Sequence, residues 1–351
     1  MKQPSDPVSN LNLQYNVPLP APAYFRHIAP RTTKQQEFIV DSRGKIESIL
    51  NRESDRFLVI VGPCSIHDPK AGIEYAERLA TLREEVGDRL ELVMRVYFEK
   101  PRTNVGWKGL IMDPDMDGTA DLAKGLEIAR DLLQKIVDLG VPTATEFLDP
   151  ITPQYIGDLI SWAAIGARTV ESQTHRQMAS GLSMPVGLKN ATNGGIIAVV
   201  NALKAAIAPQ TFFGISDEGV ASMVSTKGNQ LVHTVLRGGD DGPNFSADHV
   251  DSTRELLQKG NVSTSIVIDA SHANCAKDFE KMPGVFENVV DQRANGDLDV
   301  IGAMLESNLV AGNQAVSADF DSLTYGQSVT DPCIDWTTTE RIIRAAAEKL
   351  A

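Results

Sequence analysis

The chain has 351 residues, with 33 basic against 46 acidic side chains and a formal net charge of −13. That length excludes a small disulfide-stapled scaffold, and the acidic balance argues against a protein that coats nucleic acid. Hydrophobic residues at 42% and charged residues at 23% are a globular composition, which excludes a wholly disordered chain. The longest apolar runs, such as residues 57–61 and 196–200, fall far short of the roughly 18 residues of a membrane helix. No apolar leader opens the chain, and three cysteines suit a reducing compartment. The expectation is therefore a cytoplasmic protein with neither membrane nor nucleic-acid partner.

Residues 1–30 carry Pro4, Pro7, Pro18, Pro20, Pro22 and Pro30. An arm of this composition cannot build its own core, so it must be mobile or docked on something else. Residues 33–51 then read as an amphipathic helix with Phe38, Ile39, Ile46 and Ile49 as its apolar positions. From there apolar runs of strand length alternate with helical stretches. The strands are expected at 57–61, 90–96, 142–147, 163–167, 185–188, 232–236, 265–269 and 300–305. Helical patterns between them include 71–85, 121–139, 153–162, 196–208 and 247–259. Near-continuous apolar strands separated by helices imply a parallel sheet buried on both faces. Eight repeats point to an α/β fold of the closed (β/α)8 TIM barrel type, with an open doubly wound sheet as the alternative. Residues 211–224 read as a β-hairpin inserted before the sixth barrel strand, turning at Ser216 to Gly219. The organisation expected is an N-terminal regulatory or oligomerisation extension with the first helix over residues 1–50, then a catalytic barrel over 51–351.

Each expected strand runs into a group able to bind a metal or an anion. In order these are Cys64, Arg95 with Lys100 and Arg102, Glu146, Arg168, Lys189, Arg237, His272 and Glu306. In a barrel these ends converge on one mouth, where active sites of the fold are built. Cys64, His272 and Glu306 offer sulfur, nitrogen and oxygen to a divalent transition metal, and Asp331 in the loop after the last strand is the leading candidate for a fourth ligand. The six cations Arg95, Lys100, Arg102, Arg168, Lys189 and Arg237 would repel one another in one pocket unless anions sat there, so two phosphate groups are the expected partners. Taken singly, each residue has a plainer explanation: a lone cysteine at a strand end is usually a small buried hydrophobe, and a loop arginine is usually solvated. The convergence is what separates these from Cys275 and Cys333, which have no such support.

The runs Gly62 to Pro69 (GPCSIHDP), Met94 to Thr103 (MRVYFEKPRT) and Gly106 to Leu110 (GWKGL) resemble type I 3-deoxy-D-arabino-heptulosonate 7-phosphate (DAHP) synthases. So do Ile165 to Arg168, Glu171-Ser172-Gln173, Leu236 to Gly239, Ser271-His272, Tyr325-Gly326 and Thr330-Asp331. The resemblance implies a condensation of phosphoenolpyruvate with D-erythrose 4-phosphate and water, in the shikimate pathway, with one divalent metal ion (manganese, iron, zinc or cobalt) as cofactor. It implies metal ligands Cys64, His272, Glu306 and Asp331. Phosphoenolpyruvate would be held by Arg95, Lys100, Arg168, Lys189 and Arg237, and erythrose 4-phosphate by Arg102 and Thr103. Lys100, its pKa lowered by neighbouring cations, is the candidate acid, and Glu146 would position water or stabilise cationic character. Leu188, Val170 and the Ala191-Thr192-Asn193 run depart from the family's usual residues, beside the ligands.

In the family, extensions of this kind build a feedback site for an aromatic amino acid where one subunit's arm meets another's barrel, so a homodimer or homotetramer is implied. The matching positions here are Gln154, Leu182, Ser183, Phe212, Gly214 and Val224. Tyrosine-sensing members tend to carry glycine where Gly214 stands, which favours tyrosine. Two rivals stay open: a sister enzyme condensing arabinose 5-phosphate, which usually carries Lys-Ala-Asn-Arg where Lys100-Pro101-Arg102-Thr103 stands, and a non-catalytic sugar-phosphate-binding regulator.

Overall fold

The computed structural model of the chain describes residues 8–351, so Pro4 and Pro7 of the arm lie outside the described residues. Eight strands, β1 (Phe57–Gly62), β2 (Leu90–Arg95), β3 (Thr143–Glu146), β4 (Trp162–Ile165), β5 (Val186–Lys189), β6 (Val232–Leu236), β7 (Ile266–Asp269) and β8 (Val300–Glu306), form one sheet. Each pairs in parallel with its neighbour, and β8 returns to β1, so the barrel is closed and the open-sheet alternative is excluded. All eight strands are buried along their whole length, as strands covered by helices outside and side chains inside must be.

The barrel interior is dry at its N-terminal end. Leu58, Ile60, Val93, Trp162, Val235, Val267, Ile301 and Met304 fill it together with Ile46 and Ile49 of the helix Thr33–Leu50. That helix starts on a capping box between Thr32 and Gln35 and closes the bottom of the barrel, where Arg43 donates to the carbonyls of Gly157 and Ile160. Gly187 makes room inside for Trp162: a Cβ at position 187 would stand 2.4 Å from the indole.

One local difference from the sequence reading has a clear cause, and the choice the sequence left open for the arm is decided. The stretch 153–162 is not one helix; it is a short helix Thr152–Ile156, a 3-10 turn Gly157–Leu159, and then β4. Trp162 is needed in β4, where it pairs with Ala144 of β3, so tertiary pairing overrides the local helical pattern. The arm is partly docked on its own barrel. Its helix Pro22–Ile28 buries Phe25 edge-on to Tyr155 at 5.5 Å, and Arg26 reaches Asp217 at 2.7 Å and the Gln154 carbonyl at 3.1 Å. Asp217 is in the turn of the antiparallel hairpin Thr211–Ile215 and Ala221–Ser225, which does stand before the sixth barrel strand, so the arm helix props the hairpin.

His233 of β6 is fully buried inside the barrel. Its Nε2 accepts from the Trp162 indole N–H at 3.1 Å, so Nδ1 carries the proton toward the Leu231 carbonyl, also at 3.1 Å. Burial lowers its pKa to about 4. A buried neutral histidine contributes stability that is complete above its unfolded pKa near 6.5 and is lost as pH falls toward 4. Denaturant unfolding at pH 7 and pH 4 should differ by about 3 kcal/mol on this account, and His233→Asn should remove that share of the difference.

Candidate active site

Strand register brings the metal-ligand candidates together. Gly62 at the end of β1 pairs with Glu306 at the end of β8, and the turn after β1 delivers Cys64 beside that carboxylate. The loop after β8 folds back through bridges between Ser307 and Ile334 and between Gly312 and Cys333, which carries Asp331 over the same strand ends. A buried hydroxyl pair, Ser65 Oγ with Thr330 Oγ1 at 2.7 Å, ties the Cys64 turn to the Asp331 loop. As a result the Cys64 sulfur and one carboxylate oxygen each of Glu306 and Asp331 lie within 4.8 Å of one another. His272 stands beside this group and outside its common sphere. Its Nε2 is 3.8 Å from Glu306 Oε1, and its Nδ1 is 3.1 Å from Asp269 Oδ2 without hydrogen-bond alignment.

The chemistry of this donor set fits a divalent ion. Burial and the adjacent Glu306 push the Cys64 thiol up to about 11, so the place is short of positive charge for a thiolate. A bound dication would supply that charge and displace the thiol proton. All three cysteines are free; Cys333 is buried beside the Cys64 backbone, and neither it nor Cys275 belongs to the cluster.

Above these ligands opens a cavity of about 300 Å³ at the C-terminal ends of the strands. Lys100, Arg102, Thr103, Glu146, Arg168, Lys189 and Arg237 all line it, with His272 and Asp331 at one side. Thr103 accepts from Arg168 Nε at 3.2 Å, so the loops after β2 and β4 meet here. Arg95 lies beneath the cavity floor and is fully buried, its guanidinium 3.0 Å from Glu306 Oε1 and 3.9 Å from the centre of the Tyr97 ring. Burial disfavours its charge, but Tyr97, Glu306 and Asp269 outweigh that and raise its pKa. Lys189 follows the same pattern: burial opposes the charge, and Asp269 at 2.9 Å restores it. Asp269 in turn is held well below the usual carboxylate range by Lys189 and His272, against the effect of burial.

Lys100 corrects one expectation. Its Nζ is 3.1 Å from the Cys64 sulfur and 3.1 Å from the Cys64 carbonyl. Burial and Arg95 lower its pKa, as the clustered cations suggest, but Cys64, Glu306 and Asp331 overcome both and the net shift is upward. Lys100 is therefore an ammonium held by acidic neighbours.

Four residues that the sequence reading did not assign complete the arrangement. Asp269 is the counter-ion of Lys189, and its place at the end of β7 is the signal that marks it. Tyr97 lies against Arg95. Asn190 accepts from the Arg237 N–H at 2.8 Å and donates to the Gly238 carbonyl at 2.8 Å, which fixes the loop after β6 to that after β5. Gly166 faces Glu146, whose Oε1 is buried and has no partner among the described residues. A Cβ at position 166 would come within 2.2 Å of that oxygen.

A second cavity of about 340 Å³ lies between the helix Thr152–Ile156 and the hairpin. It gathers Gln154, Leu182, Phe212 and Val224, whereas Ser183 and Gly214 are outside its lining. Gly214 pairs with Ser222, and a Cβ there would stand 2.6 Å from a Val224 methyl, so glycine is what lets Val224 lie across the strand.

Residues 32–344 match the profile described as the DAHP synthetase I family. The chain is 47% identical over 345 residues to a phospho-2-dehydro-3-deoxyheptonate aldolase of Escherichia coli named Tyr-sensitive, covering 98% of this chain and 97% of that protein. It is 51% identical over 318 residues to the E. coli enzyme named Phe-sensitive, covering 91% of this chain and 90% of that protein. The structure of phospho-2-dehydro-3-deoxyheptonate aldolase from Francisella tularensis superimposes with a TM-score of 0.94 at 46% identity, covering 97% of this chain and 98% of that one.

Gly166→Ala tests whether the free Glu146 oxygen matters. Displacing a reacting carboxylate by about 1 Å costs on the order of 100-fold in turnover. The variant should show that loss with a melting temperature near that of the wild type, measured side by side by steady-state assay and calorimetry.

Proposed function

The chain belongs to the DAHP synthetase I family, and on that premise we propose that it condenses phosphoenolpyruvate with D-erythrose 4-phosphate and water, releasing DAHP and inorganic phosphate. One observation carries the reading. A ring of cations suited to two phosphates opens directly above a cysteine and carboxylate cluster suited to one divalent ion. Manganese, iron, zinc or cobalt fits such a mixed donor set, and we assign Cys64, His272, Glu306 and Asp331 as its ligands.

Arg95, Lys100, Arg168, Lys189 and Arg237 would hold phosphoenolpyruvate; Arg102 and Thr103 would hold erythrose 4-phosphate. The guanidinium groups bind phosphate and carboxylate in planar, paired hydrogen bonds, so they set the distance and angle between the reacting carbons. Arg95 has a further task, since it also fixes Glu306. A bound divalent ion supplies Lewis acidity toward the aldehyde oxygen. As C3 of phosphoenolpyruvate attacks the aldehyde carbon, negative charge develops on that oxygen, and Lys100, an ammonium poised beside Cys64, is the proton donor. Water adds at C2, where Glu146 with its free oxygen would orient the water or stabilise positive charge, and phosphate then leaves.

Feedback by an aromatic amino acid is assigned to the second cavity, with tyrosine favoured. The likeness over 98% of the chain to the Tyr-sensitive relative supports this. Assembly as a homodimer or homotetramer is assigned on the exposed apolar side chains of the arm, Leu11, Leu13, Tyr15 and Val17, and on Phe213 of the hairpin, which is 98% exposed. No helix among the described residues is long and apolar enough to cross a membrane, and we place the enzyme in the cytoplasm.

Phosphate release should occur with erythrose 4-phosphate, not with arabinose 5-phosphate, and should stop on adding a chelator; release with arabinose 5-phosphate alone would favour the sister reaction. Cys64→Ala should abolish release and metal binding with the fold intact, whereas Cys275→Ala should keep both. Titration of the purified enzyme with each aromatic amino acid should show inhibition by tyrosine, and inhibition by phenylalanine alone would reverse that assignment.

A further inference from the structure

Glu99 immediately precedes Lys100 but its side chain turns away from the cavity. It is 1% exposed and belongs neither to the metal cluster nor to the phosphate ring. Its Oε1 accepts from the Asp149 backbone N–H at 3.1 Å and from Thr152 Oγ1 at 3.0 Å, and its Oε2 accepts from the Leu148 N–H at 3.3 Å. Leu148 and Asp149 are in the loop after β3, just past Glu146, and Thr152 opens the helix that follows it. One carboxylate therefore pins the segment that carries Lys100, Arg102 and Thr103 to the loop that follows a second site residue.

We propose that Glu99 is a positioning residue: by holding the Lys100–Thr103 segment to the loop after β3, it sets the geometry in which the sugar phosphate is bound. The proposal rests on the functional reading above, and it adds a residue with no substrate contact of its own. Leu148 and Asp149 are half-buried, and without the carboxylate their N–H groups lose the acceptor that ties them to Glu99, so its loss loosens the loop.

The carboxyl is also poised to respond to pH. Burial pushes it up to about 7, opposed by the hydrogen bonds from Leu148, Asp149 and Thr152. Asp149 is the charged group facing it and raises it further. Lys100 is turned to Cys64, and His175, on the neighbouring helix Gln173–Gly181, is bonded to the Leu148 carbonyl and to Ser172. Above about pH 7 the ionised carboxylate accepts all three bonds; below it, protonation removes acceptor capacity and the latch weakens.

The test uses the full-length, metal-loaded enzyme and its Glu99→Gln variant, which preserves size. We expect the KM for erythrose 4-phosphate to rise about tenfold in Glu99→Gln, with the KM for phosphoenolpyruvate within twofold. In the wild type the ratio of the two KM values should rise as pH falls from 8 to 6, and in the variant it should be flat. Amide hydrogen exchange at Leu148 and Asp149, corrected for intrinsic rates, should be faster in Glu99→Gln and faster in the wild type at pH 6 than at pH 8. Unchanged amide protection, or both KM values moving together, overturns the proposal. A wild type that does not use erythrose 4-phosphate overturns the functional reading instead, and the exchange data then decide the latch by themselves.

Discussion

The arrangement depends on charge neutrality maintained under a barrel mouth. Arg95 and Lys189 are buried cations, and burial opposes the charge of each. They stay charged because Glu306 lies 3.0 Å from one and Asp269 2.9 Å from the other. Breaking a buried pair of this kind by removing one partner typically costs about 3–5 kcal/mol, because the survivor is left uncompensated. The acids are thus as necessary to the phosphate site as the bases. Glu306 serves two neighbours, since it neutralises Arg95 and stands within the cysteine and carboxylate cluster. The metal candidate and the phosphate ring are one electrostatic system.

That system needs a rigid frame, and the frame is dry at one end and polar at the other. Ile46 and Ile49 from the helix Thr33–Leu50 complete an apolar plug below Trp162 and Met304, while carboxylates, lysines and arginines crowd the opposite ends of the same strands. The loops above the strands are held by short polar ties. Ser65 with Thr330, Asn190 with Arg237 and Gly238, and Glu99 with the loop after β3 each join two loops far apart in sequence. Such ties reduce the freedom the loops would otherwise lose on binding substrate, which is the usual source of precise positioning.

The arm and hairpin are a separate layer on this frame. Phe25 against Tyr155 and Arg26 against Asp217 attach the arm helix to the barrel and to the hairpin turn at once. The second cavity lies between the hairpin and the helix Thr152–Ile156, both of which the arm helix touches. Its walls therefore include the hairpin, a piece that lies outside the closed barrel.

Much of this was readable in the residues. Strand-length apolar runs fix a parallel buried sheet because only such a sheet hides both faces, and polar groups at each strand's end mark the mouth, so Cys64, Glu146, Lys189 and Glu306 could be named before any coordinates. The local pattern misled at residues 153–162, where strand pairing at Trp162 ended the helix early. It also misled on Lys100, whose charge is set by Cys64, Glu306 and Asp331 from three distant parts of the chain. Gly166 and Asn190 carry no local signal at all: one matters because a carboxylate from another strand comes within 2.2 Å of the atom it lacks, the other because two loops meet on its amide. Chain order settles which chemical groups arrive at the mouth, because side-chain identity and strand period are local properties. Distances, and therefore which charges compensate one another, belong to tertiary structure, because electrostatic energy depends on separations that only the closed barrel defines.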